Sequence, residues 1–92
     1  MASIKQCVVK RKGHQEKYDE RKVYASVYSA ALNCEYGEKK AERIASSAAK
    51  KVTVWVRKMK GCVDSYAIRK YIISQLKDAD VALMYRTHLD LS

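Results

Sequence analysis

The 92-residue chain contains no proline, and its only glycines are Gly13, Gly37 and Gly61. A P-loop needs glycines at both ends of a short loop ahead of a Lys-Ser/Thr pair, and a dinucleotide fingerprint needs three closely spaced ones. Neither can be written anywhere in this sequence. Long hydrophobic runs are also missing, since no apolar stretch approaches the roughly 20 residues of a membrane span. The opening residues, Met1 to Gln6, do not form a signal peptide, so a cytoplasmic chain without a membrane contact is expected. Three cysteines, Cys7, Cys34 and Cys62, are an odd number at wide spacing with no C-x-x-C pair, and only His14 and His88 could supplement them. That set disfavours a structural zinc, and the cysteines are expected to be reduced, small apolar residues. No Ser-His-Asp set or usefully spaced carboxylate pair stands out, so no catalytic residue is assigned and an enzyme is not expected.

Negative charge is scarce too: 10 Asp/Glu stand against 19 Lys/Arg, a net charge of +9. Such a chain attracts anions, and nucleic acid, a nucleotide triphosphate and an anionic membrane surface all satisfy it. At 48% hydrophobic residues the sequence can fold despite its charge, and its length suits one domain over residues 1–92.

Residues 4 to 18 alternate as two short strands around a turn at Lys12-Gly13. Asp19 is a fitting N-cap for a helix from Glu20, with Val23, Val27, Ala30 or Ala31, and Cys34 on one face. Tyr36-Gly37 ends it. A longer helix from about Glu38 carries Ala41, Ile44, Ala45, Ala48, Val52, Trp55 and Met59 as its apolar stripe and closes at Lys60-Gly61. Cys62-Val63 reads as a short extended piece able to add a third strand. Asp64 or Ser65 caps a third helix holding Ile68, Ile72 and Leu76; Asp78 or Asp80 starts a fourth with Val81 or Ala82, Tyr85, His88 and Leu89 on one side. The predicted fold is α+β, mainly α: a four-helix bundle capped by a small N-terminal β-hairpin or three-stranded sheet.

The stretch from Val8 to Val23 carries the functional signal. Lys10, Arg11 and Lys12 fall at one end of the hairpin and Lys22 in the first turn of the next helix. A hairpin folded over a helix N-terminus can surround an anion with side-chain cations and backbone N–H groups. Glu16 and Asp19 are out of place in a general anion site, but they suit a hydrogen-bond donor such as the exocyclic amine of adenine. Tyr18 and Val23 would then wall the base. A solvated, charged hairpin is the plainer reading of the same residues.

The run Val8-x-Lys10-Arg11-x-Gly13, then Glu16-x-Tyr18-Asp19 and Lys22-Val23, resembles the opening signature of the ATP-cone family. Val63-x-Ser65-x-x-Ile68 is similar to that family's third helix, and Leu76 followed by Val81-Ala82-x-x-Tyr85-Arg86 to its last. The resemblance spans roughly residues 4 to 90. It implies a nucleotide-sensing domain of the kind attached to ribonucleotide reductases and to a repressor of their genes. It further implies ATP or dATP as ligand, with or without Mg, and no metal held by the protein. Lys10 and Arg11 would lie against the phosphates, Glu16 and Asp19 near the adenine, and Lys22 and Val23 facing the nucleotide. Ser65 and Arg69 would approach ribose or phosphates from the third helix, and Arg86 would substitute for a cation of the last helix. Lys12 departs from the acidic residue usual before the glycine. The expected output is a shift in oligomerisation or in binding to a partner resembling a ribonucleotide reductase, by a free-standing sensor, an accessory subunit or an excised piece. The alternative is a small basic helical nucleic-acid-binding module using Lys50, Lys51, Arg57, Lys58 and Lys60.

Overall fold

A computed structural model describes residues 7–10 and 13–91, with side chains through Thr87. Three strands and four helices follow one another as β1 (Cys7–Val9), β2 (Gln15–Lys17), α1 (Glu20–Asn33), α2 (Glu38–Arg57), β3 (Val63–Asp64), α3 (Ser65–Gln75) and α4 (Ala79–Leu91). The expected architecture is present. The sheet order is β2-β1-β3, with β1 antiparallel to β2 and parallel to β3. Gly13 sits at φ 76° in the hairpin turn, and its N–H donates to the Lys10 carbonyl at 3.1 Å. Arg11 and Lys12 lie outside the described residues, as do Met1 to Gln6.

α1, α3 and α4 each start where an aspartate satisfies a free N–H, whereas α2 starts after Gly37 with no side-chain cap. Asp19 accepts from the Arg21 N–H at 2.9 Å, Asp64 from Tyr66 at 2.7 Å, and Asp78 from Asp80 at 2.9 Å. The apolar stripe of α1 is Val23, Val27, Ala30 and Ala31, as its spacing predicts. The stripe of α2 differs. Ala41, Ala45, Ala48, Ala49, Val52 and Val56 are buried, whereas Ile44 and Trp55 are partly buried on its flank; Met59 lies past the helix, which ends at Arg57 rather than at the expected Lys60-Gly61. Small side chains let α1 and α2 approach closely, which leaves no room for large ones between them. Trp55 instead stacks on Tyr71 of α3, with ring centroids 4.3 Å apart and planes 7° from parallel. Leu76, expected within the third helix, is its buried C-cap residue. No helix among the described residues is long and apolar enough to cross a membrane.

The cysteine expectation is overturned. Cys7 and Cys62 form a disulfide, and only Cys34 is a free thiol. The register explains it: Val8 pairs with Val63 in the parallel ladder, which brings the preceding residues, Cys7 and Cys62, side by side with Cα atoms 4.5 Å apart. β3 itself covers Val63–Asp64, one residue beyond the expected Cys62-Val63.

One contact ties the α1–α2 connection to the start of α4. The Tyr36 hydroxyl donates to Asp78 Oδ2 at 2.5 Å, and Lys40 lies 3.9 Å over the Tyr36 ring. Donation to Asp78, together with burial, pushes the Tyr36 phenol up to about 12. The same bond holds the Asp78 carboxyl below the usual carboxylate range, against an opposing push from burial. A raised native value stabilises the fold below the unfolded value of 10.0 and is lost as pH rises through 10 towards 12. Alkaline unfolding should therefore show a loss of stability over that window. Tyr36→Phe should be less stable at neutral pH yet lack this component of the loss; denaturant midpoints at stepped pH check it, and identical slopes would contradict the assignment.

Candidate functional site

Two helix faces with the same spacing meet over β1. On α1, its N-cap Asp19 with Lys22, Val23 and Ser26 follow i, i+3, i+4, i+7; on α3, Ser65, Ile68, Arg69 and Ile72 do the same. Between them opens a cavity of about 240 Å³ to which β1 contributes Val8, the chain beyond it Lys10, and β2 Glu16 and Lys17. Tyr18 and, from α4, Tyr85 complete the lining. The floor is apolar and well packed, since Val8, Tyr18, Val23, Ile68, Ile72 and Tyr85 are all buried.

The mouth is polar. Glu16 Oε1 accepts from Lys10 Nζ at 3.2 Å and from Lys22 Nζ at 3.3 Å, so one carboxylate holds two cations that arrive from different elements. The Lys10 bond is the main reason that the Glu16 carboxyl sits below its ordinary value, with Lys22 adding to it and burial opposing. These pairs are solvent-exposed enough that they contribute little to stability. The tyrosines stay neutral: burial pushes both phenols up, opposed by the Thr53 bond at Tyr18 and by the Ser26 bond and Arg69 charge at Tyr85. Tyr18 Oη pairs with buried Thr53 Oγ1 at 2.9 Å, which fixes its ring against α2, and Ser26 Oγ donates to Tyr85 Oη at 3.5 Å.

A second hollow of about 550 Å³ adjoins this cavity at the start of α3. The two share Lys10, Ser65 and Arg69, and the outer one adds Val9, His14, Asp64 and Tyr66. An apolar slot leading into a basin with lysine, arginine and a helix N-terminus can take a flat ring at one end and an anionic chain at the other.

Of the ten residues expected at the site, Val8, Lys10, Glu16, Tyr18, Asp19, Lys22, Val23, Ser65 and Arg69 line this one cavity. Arg11 lies outside the described residues. Sequence reasoning placed Ile68, Ile72 and Tyr85 only in the core and passed over Lys17 and Ser26. The i, i+3, i+4, i+7 pattern from Ser65 was the signal that pairs Ile68 and Ile72 with the site. Arg86 is exposed and lines neither hollow. Of the cations expected as a phosphate-reading stripe, Lys51 lines a groove beside Lys40, Arg43 and Lys77. No group of three or more His, Cys, Asp or Glu among the described residues could hold a metal ion.

A comparison with curated proteins found no match. The ATP cone domain family matches residues 6–88. Domains of this kind bind ATP or dATP as a regulatory ligand and are not catalytic. The match runs from β1 through α3 and into α4, and the chain therefore belongs to the ATP-cone family of nucleotide-binding regulatory domains.

Proposed function

We propose that ATP and dATP compete for the cavity between α1 and α3, and that the occupant shifts an assembly equilibrium of the chain. The observation that supports this reading best is the pairing of Lys10 with Lys22 over Glu16 at the mouth of an apolar slot. In this reading the adenine enters the slot against Val8, Tyr18 and Val23, with its exocyclic amine directed to Glu16 and Asp19. The phosphates run outward over Lys10, Lys22 and the start of α3, where Ser65 and Arg69 reach the ribose or phosphates. Arg11, next to Lys10 in the sequence, joins the phosphate cations. Any Mg²⁺ arrives on the triphosphate. Two cations already held by one carboxylate need little reorganisation to receive a phosphate, which favours affinity by lowering the ordering cost.

The output is a change in self-association or in binding to a partner resembling a ribonucleotide reductase, in the cytoplasm. A ligand moves such an equilibrium only through different affinities for its two states. Calorimetry with ATP, dATP, GTP and plain triphosphate, followed by light scattering, tests both parts. ATP and dATP should bind at least about tenfold more tightly than GTP, whose ring carries a carbonyl in place of the amine; tenfold corresponds to about 1.4 kcal/mol. Equal affinity for all four would leave a generic anion site, and identical scattering with ATP and dATP would remove the switch.

A further inference from the structure

The cavity has two walls that are far apart in sequence, and one covalent bond joins them at their common edge. Cys7 opens β1, whose Val8 lines the floor and which leads directly to Lys10. Cys62 lies 55 residues later and immediately precedes β3, whose Asp64 is the N-cap of α3. From there Ser65, Ile68 and Arg69 follow along the opposite wall. Without the disulfide, these walls meet at the sheet edge through only two residue pairs, Val8 with Val63 and Val9 with Asp64. β3 is two residues long, so its ladder alone is a weak tie. The Cys7–Cys62 bond is thus the covalent tie beside that short ladder between the wall that carries Lys10 and the wall that carries Ser65 and Arg69. Cys62 is exposed and Cys7 half-buried, so a solvent-borne thiolate can reach the bond from the Cys62 side.

We propose that Cys7–Cys62 is a thiol–disulfide exchange site for dithiols, and that its oxidation state sets the nucleotide affinity of the adjacent cavity. This rests on the reading of that cavity as the nucleotide site. In the forward step a thiolate of the dithiol attacks Cys62 Sγ, forming a mixed disulfide and releasing the Cys7 thiolate. The second thiol of the reductant then attacks its own sulfur in the mixed disulfide and releases the Cys62 thiolate. The dithiol is oxidised by two electrons to its disulfide, the protein pair is reduced, and two protons pass from the reductant thiols to Cys7 and Cys62. Cys34 does not compete as a resolving thiol. It is the C-cap residue of α1, at the end of the helix away from the Asp19 cap, near Asp78 and Asp80.

The test uses the full chain, oxidised and dithiothreitol-reduced, with ATP binding measured by calorimetry at 15 °C and helical circular dichroism recorded on both forms. Reduction should weaken ATP binding by about tenfold, within the usual range of coupling between two sites. Cys7→Ser/Cys62→Ser should bind as the reduced form does and ignore the reductant. Linkage supplies a second readout that does not require the reduced form to be fully folded. The dithiothreitol ratio that half-reduces the pair, read by alkylation and mass spectrometry, should rise by the same factor in saturating ATP. Equal ATP affinity in both forms, with an unmoved half-reduction ratio, would overturn the proposal while leaving the nucleotide site standing. No ATP binding by the oxidised form would instead overturn the nucleotide site, and the redox coupling with it.

Discussion

Dithiothreitol should lower the thermal midpoint of the chain by roughly 15–30 °C, an effect larger than that of any single side chain at the cavity. The bond spans residues 55 apart, and releasing a loop of that length returns about 4 kcal/mol of conformational freedom to the unfolded chain. A domain of this size moves by roughly 4–8 °C for each kcal/mol. The remaining fold is not lost with the bond, because the α1–α2 core of Val27, Ala45, Val52 and Val56 does not involve either cysteine. Melting curves of the wild type with and without reductant, beside Cys7→Ser/Cys62→Ser, check this. The variant should melt at the reduced midpoint in both conditions. A wild-type midpoint that reductant moves by less than about 3 °C would contradict the cross-link as a stabilising element.

Lys10→Ala and Lys22→Ala should each weaken ATP by about ten- to a hundredfold, the usual cost of one charge-assisted hydrogen bond. Neither change should unfold the chain, because both lysines belong to exposed ion pairs at the cavity mouth. The shared partner adds a finer expectation. With one lysine removed, Glu16 directs its full charge at the other and competes more strongly with phosphate. The double variant should therefore lose less than the two single losses combined, since residues sharing one partner are not additive. Glu16→Gln separates the two duties of that carboxylate. It frees both lysines for phosphate but weakens the acceptor for the adenine amine, so it should reduce the preference of ATP over plain triphosphate. Calorimetry across these variants measures each term, and wild-type affinity in both lysine variants would move the site elsewhere.

α1, α3 and α4 were legible because each announces itself twice, by a capping aspartate and by apolar residues three and four apart; α2 follows Gly37 and has the spacing alone. Asp19 before Val23 and Val27, and Asp64 before Ile68 and Ile72, are examples. Periodicity was a poorer guide along α2, where Ile44 and Trp55 fit the stripe as well as the alanines do. Which of two adjacent lines faces inward is decided by how closely the neighbouring helix approaches, and the sequence of α2 alone does not contain that distance. The disulfide was missed for a related reason. Cys7 and Cys62 become neighbours only through the register of β1 with β3, and a two-residue strand leaves almost no pattern to align. The cavity residues were legible on the hairpin and α1, where charge and spacing coincide within sixteen positions. Tyr85 was not, because a buried tyrosine on α4 looks the same in sequence whether it backs a cavity or fills a core.

A backbone amide map of the chain titrated with ATP tests most directly whether adenine nucleotide enters the α1–α3 cavity. A 92-residue protein gives a resolved amide spectrum, and ligand contact shifts resonances near the site. The largest changes should fall on Val8, Lys10, Glu16, Lys22, Ser65 and Arg69, with GTP moving the phosphate-side residues more than Val8 and Glu16. The α2 groove of Lys40, Arg43, Lys51 and Lys77 should stay still, because charges more than about 10 Å from the ligand are largely screened at 0.1 M salt. Shifts confined to that groove, with the hairpin and the start of α3 unmoved, would contradict the account.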